Sequence, residues 1–171
     1  STSPISAALA QLSQKQSAKP AYPAFGEVAP KQMILDVYSI IHLYLTGLGI
    51  GLHRSNIEVI VTRETKKIIE TWINEVNRPD YLRMGVRPEG GLWRTTAEEI
   101  QKETFELQEF LRSILASSNI IGPKLVDLPP DLTALTNIVD LSVISSIQLS
   151  IANDLPWLCI DTLFINLTSN L

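Results

Sequence analysis

Residues 32–40 read Gln-Met-Ile-Leu-Asp-Val-Tyr-Ser-Ile, and this stretch decides the predicted fold. The run from Gln32 to Leu35 is short, largely apolar and followed by the carboxylate of Asp36. Beyond it the apolar side chains recur with the period of a helix, at Val37, Ile40, Ile41, Tyr44, Leu45 and Leu48. The pattern therefore predicts a strand that passes into a helix at Asp36. Three glycines are expected to end that helix: Gly47, Gly49 and Gly51.

The same change of period occurs again in residues 57–76. The segment from Ile57 to Val61 is rich in β-branched residues and has the length of a strand. Thr62 then follows as an N-cap residue. The helix that it opens carries an apolar face made of Ile68, Ile69, Trp72, Ile73 and Val76. Residues 77–93 hold two prolines and three glycines, so they are predicted to form a loop.

The second half of the chain continues the alternation of helices and strands. Thr96 and Glu99 match a capping box and open a long helix. Residues 120–126 favour a short strand, and residues 135–153 favour a further helix. The apolar run 155–160 is predicted to be a buried strand that leads directly into Asp161.

This order of elements predicts an α/β fold: a three-layer α/β/α domain with a mostly parallel central sheet. We expect residues 1–31 to form a flexible leader and residues 32–171 to form the domain, with 77–131 as a loop plus an inserted long helix. The Ala- and Pro-rich leader and the absence of an initiator Met suggest an upstream domain or a protein partner.

Composition excludes several classes of protein. A net charge of −4 argues against coating nucleic acid through bulk charge. Cys159 is the only cysteine, which excludes disulfides within the chain and thiolate metal clusters. The first residues do not resemble a secretory signal, so the cytoplasm is the expected compartment. Residues 33–52 have the length of a membrane span, but Asp36 and His42 interrupt them and argue against one.

Asp36 and Asp161 are the first candidates for a functional site. Each follows a buried apolar run, and the carboxyl ends of parallel strands meet at one edge of a sheet. A carboxylate held there needs hydrogen bonds, a cation or water, and two of them repel each other unless a divalent metal is present. The alternative is that each Asp only caps the next helix.

Asp140 and Glu70 extend the set of candidate acids. Asp140 lies on the same helical stripe as Ile144 and Ile147, near the start of a helix expected to cover the sheet. Glu70 lies at the border of the polar face of the second helix, where an exposed glutamate paired with a lysine is the alternative. Glu64 is a second choice for that role, because the helix dipole alone accounts for an acid at a helix start.

These positions resemble the motifs of the PIN domain family. The run from Met33 to Ile40 is similar to the family's first strand with its Asp and nearby Ser39. The segment 59–62 followed by Glu70 resembles the second strand and the helix that bears a glutamate. Asp140 with the helix behind it, and then residues 153–161, are similar to the third and fourth acidic motifs. The resemblance covers residues 32–171.

The resemblance implies a metal-dependent ribonuclease that hydrolyses phosphodiester bonds in single-stranded RNA. Asp36, Asp140 and Asp161 would hold Mg²⁺ or Mn²⁺, with Glu70 completing the catalytic set. The weaker expectation is that substrate contacts come from Ser39, Arg63, Lys66, Lys67 and Thr162. Two alternatives stay open: the basic residues form an ordinary solvated helix face, or the domain is catalytically degenerate and binds RNA or a protein without cleaving.

Overall fold

Helices and strands alternate along the chain. A computed structural model describes Ile5 and residues 30–128, 130–134 and 136–161. The strands are β1 (Gln32–Leu35), β2 (Glu58–Thr62), β3 (Arg83–Val86), β4 (Leu92–Thr95) and β5 (Asn119–Ile121). The helices are α1 (Val37–Leu45), α2 (Gly49–Arg54), α3 (Arg63–Val76), α4 (Ala97–Ser117), α5 (Pro130–Thr133) and α6 (Leu141–Asn153).

The central sheet is parallel, as the sequence predicts. Its strand order is β1, β2, β5, with β2 in the middle. Met33 pairs with Val59 and Ile60 pairs with Asn119, both in parallel register. Parallel neighbours need crossover connections, and α1 to α4 supply them. All three strands therefore end at the same edge of the sheet.

Alternation along the strands divides the core between the two faces of this sheet. The larger cluster takes Met33, Leu35 and Val61 on one face and packs them against side chains of α1, α3 and α4. Ile34 and Ile60 face the other way and pack against Leu149 of α6. Because successive side chains of a strand point to opposite faces, helices cover both sides. The predicted α/β class with helices flanking a parallel sheet is confirmed.

The segment predicted to be a loop at residues 77–93 contains an antiparallel hairpin. β3 and β4 pair with Arg83 opposite Thr95 and Val86 opposite Leu92. Gly90 and Gly91 lie in the turn between the two strands. Their φ values of 92° and 93° define a backbone conformation that residues with a Cβ rarely adopt. The loop prediction was wrong because four-residue strands next to Pro and Gly give only a weak periodic pattern.

Two predictions near the end of the chain also need correction. The run 155–160 is not a regular strand: it meets β1 in a single bridge between Ile34 and Trp157. The Ile34 N–H donates to the carbonyl of Pro156, and the N–H of Leu158 donates to the carbonyl of Ile34. Pro156 has no N–H with which to extend this pairing toward the start of β1. The helix predicted over 135–153 begins at Leu141, because Asp140 adopts an extended conformation and caps it.

The glycine-rich segment after α1 forms a short helix, α2, that the sequence did not indicate. Gly47 does end α1, at a φ of 71°. At Gly49 a Cβ would lie 2.4 Å from the ring of Phe110, so a larger residue would require that ring to move. Close approach to α4 therefore explains a glycine that helix propensity would disfavour.

Two findings concern the chain as a whole. Among the described residues, no helix is both long enough and apolar enough to cross a membrane. Of the predicted leader, Ile5 is described, and its side chain is completely buried in the larger core cluster.

Candidate active site

The carboxyl edge of the sheet gathers the polar residues of the site. Asp36 follows β1 and is the N-cap of α1, and Thr62 ends β2 and is the N-cap of α3. Asp140 is the N-cap of α6, with its Oδ1 accepting the Ser142 N–H at 2.8 Å. The helix-capping alternative, raised for Asp36 and Asp161, therefore holds for Asp36, and Asp140 also caps a helix. The residues after Asp161 lie outside the described part of the chain. Both Asp36 and Asp140 nevertheless lie at the carboxyl edge of the sheet, because the helices that they cap begin there.

Asp36 is buried, at 2% exposure, and both of its carboxylate oxygens accept hydrogen bonds. Oδ1 accepts the backbone N–H of Ser39 at 2.7 Å and the Ser39 hydroxyl at 2.9 Å. Oδ2 accepts the indole Nε1–H of Trp157 at 3.0 Å. All of these donors are neutral, so they fix the carboxylate without cancelling its charge.

Burial raises the pKa of Asp36 above its ordinary value, since the charged form loses hydration. The hydrogen bonds from Ser39 and Trp157 act in the opposite direction and lower the pKa only in part. The site therefore holds a carboxylate that would gain from a nearby cation.

Tyr38 lies close enough to the three predicted aspartates for their charges to affect its hydroxyl. The pKa of its hydroxyl is raised by burial, and then by the charges of Asp140, Asp36 and Asp161. Burial likewise raises the pKa of the Cys159 thiol to about 12, with Asp36 and Asp161 adding to the effect. Because such charge effects fall off with distance, the three predicted acids lie around one part of the molecule.

The described residues do not form a ready three-ligand metal centre. Among them, no group of three or more His, Cys, Asp or Glu side chains is placed to hold a metal ion. The donor chemistry nevertheless suits a hard cation, because carboxylate oxygens are its preferred ligands. Mg²⁺ commonly keeps several waters and takes only one or two carboxylates directly. The described acids therefore match a hard cation in donor type, and they do not form a three-ligand arrangement for it.

Glu70 and Glu64 have different surroundings on α3. Glu70 has an exposed side chain, at 53%, and its Oε1 lies 3.6 Å from Nζ of Lys66. Glu64 is in the first turn of α3, directly after the carboxyl end of β2. Its Oε2 is buried and has no hydrogen-bond partner in the described part of the chain. Glu64 thus has a buried carboxylate oxygen at the start of α3, whereas the carboxylate of Glu70 is exposed.

The predicted substrate-contact residues fall into three groups. Ser39 is fully buried and bonded to Asp36. Arg63 is exposed, and its guanidinium lies against Gly122, just beyond β5 at the same edge. Lys66 and Lys67 follow on α3, with Lys66 paired to Glu70. Thr162 lies outside the described residues.

Two parts of the site escaped the sequence patterns. Trp157 packs in the core, and its indole N–H also donates to Asp36. A buried hydroxyl contact joins Thr62 Oγ1 to Ser145 Oγ at 2.8 Å and ties α6 to the end of β2. Sequence separations of 121 and 83 residues leave no local pattern that could reveal either contact.

A parallel sheet flanked by helices, with helix-capping carboxylates at its carboxyl edge, defines the class of the protein as an α/β domain with an acidic edge. The family model for a PIN domain associated with the TPR-GreAB-C-PIN system matches residues 34–169 of this chain. The chain therefore belongs to the PIN domain family. No curated protein and no solved structure matches it.

Proposed function

We propose that this PIN domain is a metal-dependent endoribonuclease whose acids are Asp36, Asp140 and Asp161, with Glu64 or Glu70 as the fourth. The observation that supports the proposal is that Asp36 and Asp140 both cap helices at the carboxyl edge of the parallel sheet, where the contact between Ser145 and Thr62 joins α6 to β2. Carboxylates that lie near one another repel, and a cation or a proton relieves that repulsion.

Mg²⁺ or Mn²⁺ would be held by Asp36, Asp140 and Asp161, directly or through water. When bound, the cation lowers the pKa of water for attack on the phosphodiester and offsets charge in the transition state. Ser39 and Trp157 keep the Asp36 carboxylate in one orientation through their hydrogen bonds. Ser142 does the same for Asp140 through its backbone N–H.

Single-stranded RNA is the substrate class that the proposal assigns. Arg63, Lys66 and Lys67 follow Thr62 on α3 and would orient backbone phosphates beside the acids. Ser39 and Thr162 complete the predicted contacts. The domain is proposed to comprise residues 32–171 behind a leader at 1–31, working with an upstream domain or partner. The family description names a TPR-GreAB-C-PIN system, which supports such a partner.

A second function, RNA or protein binding without cleavage, is favoured by one observation. Both oxygens of Asp36 already accept bonds from neutral protein donors, one of them from Trp157. A carboxylate satisfied in this way has less need of a metal.

The test measures Mn²⁺-dependent cleavage of a mixed single-stranded RNA by the wild type and by Asp140→Asn. Asn caps a helix as well as Asp does, so this substitution removes the charge and leaves the start of α6 intact. We expect a loss of cleavage of at least about a hundredfold with little change in melting temperature. Equal cleavage by both proteins contradicts the assigned role of Asp140. No cleavage by either, with no Mn²⁺ stabilisation of the fold, supports the binding function.

The fourth acid is identified by comparing Glu64→Gln with Glu70→Gln in the same assay. Glu64 has a buried oxygen without a partner among the described residues, whereas Glu70 is exposed and paired with Lys66. We expect Glu64→Gln to lose most of the cleavage and Glu70→Gln to keep it. The reverse result assigns the role to Glu70.

A further inference from the structure

The β3–β4 hairpin exposes an unusual concentration of apolar side chains. Of the twelve large hydrophobic residues exposed within the described residues, five belong to the segment 82–93. Met84, Val86 and Leu92 are exposed by 60%, 73% and 70%. Neither strand of the hairpin packs extensively on any other described helix or strand. A two-stranded hairpin alone is marginally stable in water, so a covering partner would stabilise it.

One face of the hairpin holds these side chains together. Met84 lies opposite Arg94, and Val86 lies opposite Leu92. Because directly paired residues share a face of the sheet, all four form one surface, which we call the hairpin patch. The other face is occupied, since the ring of Trp93 lies on Gly85, where a Cβ would be 2.5 Å from the indole. The hairpin patch therefore lies on the face opposite Trp93.

The charge of the hairpin is opposite to that of the rest of the chain. Residues 78–95 contain four arginines and two acids, a net charge of +2 within a chain of net charge −4. A partner for this surface should be acidic and should offer an apolar contact at its centre.

Helix α4, which begins two residues after β4, has that chemistry. It carries five glutamates against one lysine and one arginine, a net charge of −3. Phe105 is exposed by 61% on its outer side. Glu106 and Glu109 are exposed beside it, and these three residues are the helix patch. Lys102 and Arg112 also lie near Phe105, and Arg112 pairs with Glu109 at 2.7 Å, so the acidic character of this surface comes from the net charge of the whole helix. That net charge and the exposed Phe105 complement the arginines and the exposed Met, Val and Leu of the hairpin.

We infer that the hairpin patch of one copy of this chain docks on the helix patch of a second copy, and the reverse, in a symmetric dimer. The hairpin and α4 are neighbours in the chain. In a dimer with a two-fold axis, the hairpin patch of each copy contacts the helix patch of the other copy, so the same contact forms twice. The hairpin also follows the end of α3 that lies away from Thr62 and the carboxyl edge of the sheet. Fourteen residues of α3, about 21 Å of helix, separate Thr62 from the segment that leads into it. This position suits a protein contact better than a path for RNA into the acids.

The test uses two charge-reversed variants of the full chain in sedimentation velocity at tens of micromolar protein. One variant carries Arg87→Glu and Arg94→Glu, and the other carries Glu106→Lys and Glu109→Lys. Each alone sets like charges against each other in both contacts of the dimer. We expect the wild type at twice the chain mass of 19.0 kDa and each variant at the single mass. An equimolar mixture of the two should restore the double mass, since both contacts are again complementary.

Controls separate this docking from other associations. Leu125→Glu changes a residue that is 95% exposed outside the two patches, and it should leave the dimer intact. Val86→Glu should abolish the dimer, and thermal unfolding checks that each variant is folded. A wild type of single mass overturns the inference, and so does a dimer that persists in both variants. A mixture that stays monomeric, or a monomeric wild type whose hairpin binds single-stranded RNA, overturns it as well.

Discussion

Asp36 shows how a single residue can serve the fold and the site together. Its carboxylate caps α1 through Ser39, and its second oxygen is held by the indole of Trp157. Burial makes the charge costly, as its raised pKa indicates. The hydrogen bonds compensate for only part of that cost. A residue placed in this way stores unfavourable energy that a cation at the acidic edge would relieve.

Trp157→Phe should separate the role of the indole N–H from that of the ring. Phe keeps most of the packing and removes the donor to Asp36, so we expect a loss of about 1.5–3 kcal/mol in the free energy of unfolding. Urea denaturation measures it. Trp93→Phe is the matched control, because that ring lies on the hairpin and should change stability by less than about 0.5 kcal/mol. Equal losses in both variants would show that the bond to Asp36 does not matter.

The ionisation of Asp36 should make stability depend on pH in a stated direction. Its folded pKa is raised, so the folded state favours the protonated acid, and that contribution is lost as pH rises through the folded pKa. In the presence of a metal chelator, the free energy of unfolding of the wild type should therefore fall relative to that of Asp36→Asn as the pH rises from acid to neutral. Parallel denaturation series at several pH values measure this difference. A difference that is constant or rises with pH contradicts the raised pKa.

At the scale of elements, α6 is tied to the sheet by a contact between hydroxyl groups. Ser145 Oγ meets Thr62 Oγ1 at 2.8 Å, and Thr62 also caps α3 through Thr65. One buried contact thus joins the end of β2, the start of α3 and the first turns of α6. Asp140 lies at the beginning of that last helix, so its position depends on this contact.

Two adjacent buried serines offer a controlled measurement of that contact. Ser145→Ala removes the partner of Thr62, and we expect it to cost about 1 kcal/mol of unfolding free energy. Ser146 is also buried, but its Oγ has no hydrogen-bond partner in the described residues. Ser146→Ala should therefore be neutral or slightly stabilising. Urea unfolding of both variants decides the matter, and equal effects would rule out a specific role for the bond between Ser145 and Thr62.

At the scale of the whole molecule, residue 5 belongs to the core. Ile5 is completely buried in the larger hydrophobic cluster, together with side chains of β1, α1, α3 and α4. The sequence favoured a flexible leader for residues 1–31, because its apolar patch is short and has no sustained period afterwards. Burial of its side chain gives Ile5 a structural role.

Ile5→Ala should reveal the strength of this attachment. Removing a fully buried side chain leaves a cavity, so we expect a loss of about 2–4 kcal/mol. Leu125→Ala is the control, since that residue is 95% exposed and should change stability by less than about 0.5 kcal/mol. Thermal or urea unfolding provides both values. A neutral Ile5→Ala would show that the segment does not contribute to the core.

Local patterns were sufficient wherever short-range physics sets the structure. The apolar run before Asp36 and the helical period after it predicted β1 and α1, and the capping box at Thr96 predicted the start of α4. Propensity, periodicity and capping act over a few residues, so one sequence contains them. They failed at the hairpin, where the two strands are short and the turn depends on two glycines.

The sequence by itself determined the α/β order, the helix caps and the acid that follows the first strand, Asp36. Only the tertiary structure decided which acids share an environment. It also decided that Glu64, rather than Glu70, has a buried oxygen without a hydrogen-bond partner among the described residues. The hydrogen bond from the Trp157 indole to Asp36 is a third feature of this kind. The physical reason is separation along the chain. Packing brings residues 36 and 157 into contact, and no local preference of either residue encodes that distance.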